Sequence, residues 1–396
     1  MLNRHALHFA LVAGLSAFFL SGCGSGGDGG DSDGGGGAKT YTIGFQAGLS
    51  GDNGQFGINE ANGVELAVEK FNSSPEAPFQ VRLVKSDDGG SEAQAPAAAQ
   101  RLIGDGDVVA VIGPAFSDTA RASGQLYAAA KLAAVSPSAT SPGLTDPGNG
   151  FASLLRGVPG DVAQGSGIAS YLRELGLRKV LVVDDGTEYG VGLGDVVRHE
   201  SGRAGVQVVS ESVPKGTPDY GPAAARVRDS GAEGLVYAGY YRDAALLARE
   251  LKEAGVAIPV IAGDGTKDAR FVESAGDAAE NWFVACPCAD AGAEPSMKEF
   301  SADYRAKFKM DPGAYSAEAY DVANMVVEEI GKLDAAGSEV TREAVLGSLR
   351  KATYRGLTRT FAFDEKGDFV GEDVYLYQVT AGRIAYLGRV DELVSR

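Results

Sequence analysis

From residue 40 onward, short apolar runs alternate with amphipathic stretches. Residues 40–47 (TYTIGFQA) predict a buried strand. Val64, Ala67, Val68 and Phe71 then recur at the spacing of one helix face. Phe79, Val81 and Leu83 alternate as in a strand, and Ala95, Ala98, Ala99, Leu102 and Ile103 form the next helical stripe. Residues 108–112 (VVAVI) are a continuous apolar strand bounded by Gly113-Pro114, followed by a helix over 123–131 and a strand over 132–135. The pattern restarts after Pro159. A helix over 162–175 stops at Gly176, and strand 179–183, helix 190–204 and strand 206–209 follow. Helix 220–230, strand 234–237, helix 244–254 and strands 258–262 and 282–285 come next. Helices over 296–308, 314–333 and 341–352 precede a tail, from Arg359, of strands around the turn Asp364-Glu365-Lys366-Gly367.

Such alternation predicts an α/β fold with mostly parallel sheets covered by helices on both faces. Two runs, 41–157 and 158–286, predict two lobes of similar design. That symmetry rests on element order alone, since no sequence repeat stands out. In open parallel sheets ligands bind beyond the carboxyl ends of the strands. The residues just after each strand are therefore the candidate site.

The first residues read as an address. Residues 1–8 carry Arg4 and no acid, and residues 9–20 (FALVAGLSAFFL) are apolar or small, of signal-peptide length and too short for a spanning helix. They end in Leu20-Ser21-Gly22-Cys23, which resembles the bacterial lipobox. We therefore expect residues 1–22 to be a lipoprotein signal peptide, with Cys23 acylated as the mature N-terminus. Residues 24–38 (GSGGDGGDSDGGGGA) have nothing to pack and read as a tether, so that 23–40 is a lipidated leash. Its reach is roughly 20 Å. The GxGxxG match at residues 24–29 neither follows a strand nor opens a helix, so it carries no dinucleotide signal. After residue 38 no apolar run of spanning length occurs. A soluble extracytoplasmic body is expected, in the periplasm or on the outer face of the cell membrane, lipid-anchored at Cys23.

Composition narrows the chemistry. Thirty-six basic against 53 acidic side chains give a formal charge of −17, the wrong sign for a nucleic-acid partner. The three histidines are His5, His8 and His199, and only the last lies beyond the leader. One histidine cannot build His-rich zinc sites or an HExxH arrangement, and no GxSxG follows a predicted strand to make a nucleophile elbow. An enzyme is not expected, nor a cofactor or metal. Three cysteines, at 23, 286 and 288, exclude a disulfide scaffold. Cys286 and Cys288 have one residue between them. An extended chain there disfavours a bridge, while a compact turn around Pro287 allows one.

The strand ends fall into two chemistries. Small hydroxyls and turn glycines follow the strands of the first half: Gly48-Leu49-Ser50-Gly51, residues 113–119 and residues 136–141. Tyrosines and an acid follow those of the second: residues 184–190, Ala238-Gly239-Tyr240-Tyr241 and Gly263-Asp264-Gly265. Hydroxyls with helix-start N–H groups suit a carboxylate. An aspartate flanked by tyrosines suits an ammonium group. A zwitterionic α-amino acid presents both.

The chain resembles the bacterial branched-chain amino-acid binding proteins, the Leu/Ile/Val-type solute receptors of ABC transporters with a type I periplasmic-binding fold. The likeness runs over nearly all of 41–390. It is carried by Leu49-Ser50-Gly51 with Phe56-Gly57, Asp87-Asp88, Ile112-Gly113-Pro114 and residues 135–140. Asp184-Asp185 with Tyr189-Gly190, Tyr237-Ala238-Gly239-Tyr240, Gly263-Asp264-Gly265, Ala317, Tyr320-Asp321 and residues 363–367 continue it. The resemblance implies a first lobe of 41–157 plus 287–374 and a second of 158–286 plus 375–396. It implies a ligand carboxylate on Ser117, with Asp118 or Thr119 as alternatives because that loop is one residue shorter. Further contacts are implied from Ser138, Ala139 and Thr140, an ammonium on Asp264, Tyr189 and Tyr240 in the second lobe, and Phe56 over the ligand side chain. Asp87-Asp88 reads as a turn or cap. The implied partners are a small amino acid, Leu, Ile or Val first, and the membrane permease of an ABC transporter, with the receptor a monomer. Receptors for urea, an amide or an aromatic acid, and a ligand-sensing module, share the fold and stay open.

Overall fold

A computed structural model describes residues 39–394; Cys23 and the expected leader and tether up to residue 38 lie outside the described residues. The first sheet takes β1 (Thr40–Ala47), β2 (Gln80–Asp87), β3 (Val108–Ile112), β4 (Ala133–Ser136) and β5 (Leu154–Arg156) in the order β2-β1-β3-β4-β5, all parallel. Between them run α1 (Gly54–Asn72), α2 (Ala95–Gly104) and α3 (Ser117–Ala129). Period-2 alternation along β3 sends Val111 to one face, with Leu102, Ala120 and Tyr127. It sends Ala110 and Ile112 to the other, in the core that holds Val64 and Val326.

The second sheet is built by α4 (Asp161–Glu174), β6 (Lys179–Asp184), α5 (Glu188–Arg203), β7 (Gln207–Ser212), α6 (Gly221–Asp229), β8 (Gly234–Ala238), α7 (Tyr241–Glu253), β9 (Val260–Ala262), α8 (Ala269–Ala275) and β10 (Phe283–Cys286). The chain then returns to the first lobe. Of α9 (Lys298–Phe308), α10 (Ser316–Ala335) and α11 (Arg342–Leu349), α9 and α10 pack against α1, and α11 against β3 and β4. A two-stranded ribbon of β11 (Thr353–Arg355) and β12 (Thr360–Ala362) follows. Finally β13 (Tyr375–Thr380) and β14 (Arg383–Arg389) add an antiparallel edge, giving the order β14-β13-β10-β9-β8-β6-β7. The molecule thus has two parallel-sheet lobes, and the chain passes between them after β5, after β10 and before β13.

The expected strands sit where the apolar runs placed them, but helix starts differ. The helix expected over 123–131 begins at Ser117, and those expected from 190 and 244 begin at Glu188 and Tyr241. Their first turns carry hydroxyls, acids and tyrosines, which no apolar stripe announces. Strand β5 was not expected at all: it is three residues long and ends in a buried arginine. Cys286 and Cys288 form a disulfide with Cα atoms 5.1 Å apart at the crossover after β10, so the chain there is compact rather than extended. Asp87 and Asp88 serve the turn after β2: Asp87 accepts from Leu49 and Gly89 N–H at 2.8 Å, and Asp88 from Gly90 N–H at 2.9 Å. Among the described residues no helix is long and apolar enough to cross a membrane.

Candidate functional site

The carboxyl ends of both sets of parallel strands meet at one cavity. Phe56, on the first turn of α1, and Ala115, Phe116, Ser117 and Ser138, after β3 and β4, line its first-lobe side together with Tyr315, which immediately precedes α10. Tyr189, Tyr240 and Asp264, after β6, β8 and β9, line the other. The cavity has a volume of about 270 Å³, and every residue that lines it is buried. Rings close it. Phe116 and Tyr240 meet edge to face at 5.3 Å, Tyr189 lies 5.2 Å from Tyr240, and Phe56 stacks on Tyr241 at 5.9 Å. Lys215 Nζ lies 5.3 Å from the Tyr240 ring centroid and 6.0 Å from that of Phe116.

The hydroxyl end is built by helix starts. Ser117 is the first residue of α3, so the cavity faces unsatisfied N–H groups and the positive end of a helix. Its Oγ accepts from Ser141 N–H at 3.2 Å, which leaves its own proton to donate. Asp118, the alternative, instead accepts from Glu188 N–H across the lobes at 3.0 Å, and Thr119 Oγ1 donates to Phe116 O at 3.1 Å. Ser138 Oγ donates to Ala115 O at 2.7 Å and keeps acceptor capacity. Ala139 and Thr140 are buried next to this wall but do not line the cavity. Both backbone groups of Ala139 are already engaged: its N–H donates to Ser136 Oγ at 2.9 Å, and its carbonyl accepts from Arg156 Nη1 at 3.0 Å.

The acid end is denser than the strand-end reading expects. Asp264 Oδ1 accepts from Gln164 Nε2 at 2.7 Å and Tyr189 Oη at 2.8 Å, and Oδ2 accepts from Tyr315 Oη at 2.6 Å. Burial pushes its carboxyl up, against those three donors, which favour the charged form. Glycines let this packing occur: a side chain at Gly263 would collide with Tyr189 Oη and Leu193, and one at Gly265 would lie 2.6 Å from Gly239 O. Asp161, the first residue of α4, is fully buried, and neither of its carboxyl oxygens has a hydrogen-bond partner. Burial, then the Asp264 charge, push Asp161 well above the carboxylate range. Thr140 Oγ1 faces it without a formed hydrogen bond, and Gln164 Oε1 is also unpartnered. The unpartnered oxygens of Asp161 and Gln164 thus lie beside Asp264, an acceptor-rich corner that is the complement of an ammonium group.

Of the residues expected at the site, Phe56, Ser117, Ser138, Tyr189, Tyr240 and Asp264 come together around one space, and Ala139 and Thr140 back it. Phe116 and Tyr315 join them on the lining, and Gln164 and Asp161 lie beside Asp264, without having been expected. Asp161 follows Pro159-Gly160 and reads as a helix cap, while Tyr315 falls inside the helix expected from 314 although it stands ahead of α10. Contacts across the rim hold the lobes together. Glu188 takes Arg121 at 2.7 Å and Ser141 Oγ at 2.9 Å, and Arg242 meets Asp52 at 2.6 Å. Among the described residues no group of three or more His, Cys, Asp or Glu could hold a metal.

Known proteins share this fold. The Leu/Ile/Val-binding protein BraC3 of Rhizobium johnstonii is 29% identical over 348 residues, 87% of this chain and 92% of that protein. The crystal structure of the branched-chain amino-acid transporter substrate-binding protein LivJ of Streptococcus pneumoniae, in complex with isoleucine, superposes with a TM-score of 0.79 at 26% identity, covering 88% of this chain and all (100%) of that one. The leucine-binding protein LivK of Thermotoga maritima shares the fold with a TM-score of 0.80 at 24% identity, over 88% of this chain and 98% of its own. The periplasmic binding protein family model matches residues 40–383. Two parallel-sheet lobes closed over a cavity at their strand ends, matched along nearly the whole body, place the chain in the periplasmic binding protein family.

Proposed function

We propose that this chain is an extracytoplasmic solute receptor that binds a small α-amino acid, Leu, Ile or Val first, between its lobes and presents it to the permease of an ABC transporter. One observation carries the reading: a cavity with a helix start and hydroxyls on one side has Asp264 on the other, with the buried, unpartnered carboxyl of Asp161 beside it. The ligand carboxylate takes the Ser117 hydroxyl and the α3 N-terminus, with Ser138 and Thr140 nearby. The ammonium takes Asp264 and Asp161. The aliphatic side chain lies against Phe56, Phe116 and Tyr240. Because every residue lining the cavity is buried, entry requires the lobes to part, and their closure gives a permease a distinct shape to recognise. The moving bodies are 41–157 with 287–374 and 158–286 with 375–396. A thermal-shift screen of the twenty amino acids, urea, amides and benzoates tests this. A ligand at about 100 Kd adds ~2.7 kcal/mol. Stabilisation by an amide or a benzoate with none by any α-amino acid would sink the amino-acid reading.

The acid pair gives a pH signature. In the ligand-free protein burial raises both carboxyls, and the Asp264 charge raises Asp161 further. A bound ammonium favours their ionised forms, so their bound pKa values lie below the free ones. Binding therefore releases protons, and affinity rises with pH between the bound and free values, then levels off. Calorimetric titration of leucine in two buffers of different ionisation enthalpy measures the release. Identical apparent enthalpies, with affinity flat between about pH 5 and 8, would contradict it.

We further propose that the body is held at a membrane by lipid on Cys23. Cys23→Ser is expected to move the protein from the membrane fraction to the soluble fraction, or to leave the leader uncut. An unchanged membrane fraction would refute the anchor.

A further inference from the structure

We infer that Tyr315 is a positioning residue: its hydroxyl, reaching across from the first lobe, fixes Asp264 of the second in the orientation that reads the ligand's ammonium group, so that the acid is fully set only when the lobes are closed. The inference rests on the amino-acid reading of the cavity. Gln164 and Tyr189, the two donors to Asp264 Oδ1, belong to α4 and α5, the same lobe as the acid, and stay with it however the lobes move. The donor to Oδ2 is different. Tyr315 stands at the start of α10, which packs against α1 in the first lobe, and spans the cavity to place its Oη 2.6 Å from Oδ2. Opening the lobes breaks this hydrogen bond and leaves the other two.

The backbone at Tyr315 sits at φ +62°, a left-handed conformation that a bulky L-residue rarely adopts. Surroundings must hold it there. Its ring is 1% exposed, 6.3 Å from the Phe56 ring, and its hydroxyl finds an ionisable partner across the lobes. A ring needed only to wall the cavity requires no hydroxyl. The charged or titratable groups facing Asp264 are Asp161 from α4, Tyr189 from α5, Tyr240 ahead of α7, and Tyr315 itself, with Glu318 of α10 beyond it. Of these, Tyr189 and Tyr315 donate to the acid through their hydroxyls, and only Tyr315 belongs to the first lobe.

Tyr315→Phe keeps the ring and removes the donor. Leucine and its deaminated analogue, 4-methylpentanoate, are titrated into the parent and the variant across pH. We expect leucine affinity to fall about tenfold and the analogue's by less than about twofold. The acid limb of the leucine profile moves to higher pH, because a carboxylate that loses a donor holds its proton more tightly. In an Asp264→Asn background, Tyr315→Phe has no further effect on leucine. Equal losses for both ligands, or an unmoved acid limb, would assign Tyr315 to packing alone and overturn the inference. The two readings separate cleanly: a parent that binds no α-amino acid overturns the amino-acid reading and this one with it, whereas a parent that binds leucine beside an unaffected variant overturns only this one.

Discussion

Asp264→Asn is expected to weaken leucine binding by about 150-fold or more, about 3–5 kcal/mol, while the ligand-free protein keeps its fold. The substitution preserves shape. The remaining carbonyl oxygen still accepts from Gln164 and Tyr189, and the new amide turns its N–H toward Tyr315 Oη, which can accept. What disappears is one of two buried negative charges. In the closed cavity the ligand's ammonium then keeps Asp161 alone as its ionised partner. The ligand-free protein gains slightly, because repulsion between the two acids is relieved. Its thermal midpoint should hold or rise. The discriminating measurement is again a pair of titrations, leucine and 4-methylpentanoate, on parent and variant. The deaminated acid has no charge to lose and should bind the variant almost as it binds the parent. If the variant takes leucine as well as the parent does, Asp264 is a turn residue with satisfied hydrogen bonds, and the amino-acid assignment loses its main support.

Why this site was partly legible follows from what periodicity can see. Apolar runs mark where parallel strands end, and the strand ends after Ile112, Ser136, Asp184, Ala238 and Ala262 carry Ser117, Ser138, Tyr189, Tyr240 and Asp264 into one cavity. The residues just beyond those ends were therefore readable without any contact information. Asp161 was not, because a charged residue at a helix start reads as a solvated cap, and nothing local announces that α4 begins under the other lobe. Glu60 is the same failure inside a helix. It lies on α1, fully buried with both carboxyl oxygens unpartnered and its carboxyl pushed up to about 8 by burial, whereas an amphipathic reading assigns glutamate to the surface. Tyr315 was missed for a third reason. Its residue type extends the helical pattern of α10, while its left-handed backbone puts it outside the helix and turns the ring toward the cavity.

Arg156→Met is expected to destabilise the protein by about 3–5 kcal/mol and to weaken ligand binding through the loop it holds. Arg156 closes β5 with its side chain only 2% exposed. Its guanidinium donates to Ala139 O at 3.0 Å, Ser141 O at 2.9 Å, Thr145 Oγ1 at 3.2 Å and Asp368 Oδ1 at 2.7 Å. One planar fork thus fixes the backbone on both sides of Thr140 and ties it to the loop leading into β13. The ion pair is the lesser part. Asp368 is 37% exposed, so water screens it, and Asp368→Asn should cost no more than about 1 kcal/mol. The carbonyls carry the weight. Met fills the methylene volume but leaves two carbonyls and a hydroxyl without their donor, at about 1–3 kcal/mol for each group that stays buried. Part of that cost is escaped if 139–141 moves, and the movement is what reaches the ligand, because Ser141 N–H holds Ser117 Oγ. Arg156→Lys supplies a single ammonium in place of the fork and should recover some stability but not the loop geometry. Denaturant unfolding of the three variants, with leucine titrations beside it, separates these contributions. Should Arg156→Met unfold at the same denaturant midpoint as Asp368→Asn, the solvent-screened pair would be all that Arg156 supplies, and the carbonyl contacts would be energetically silent.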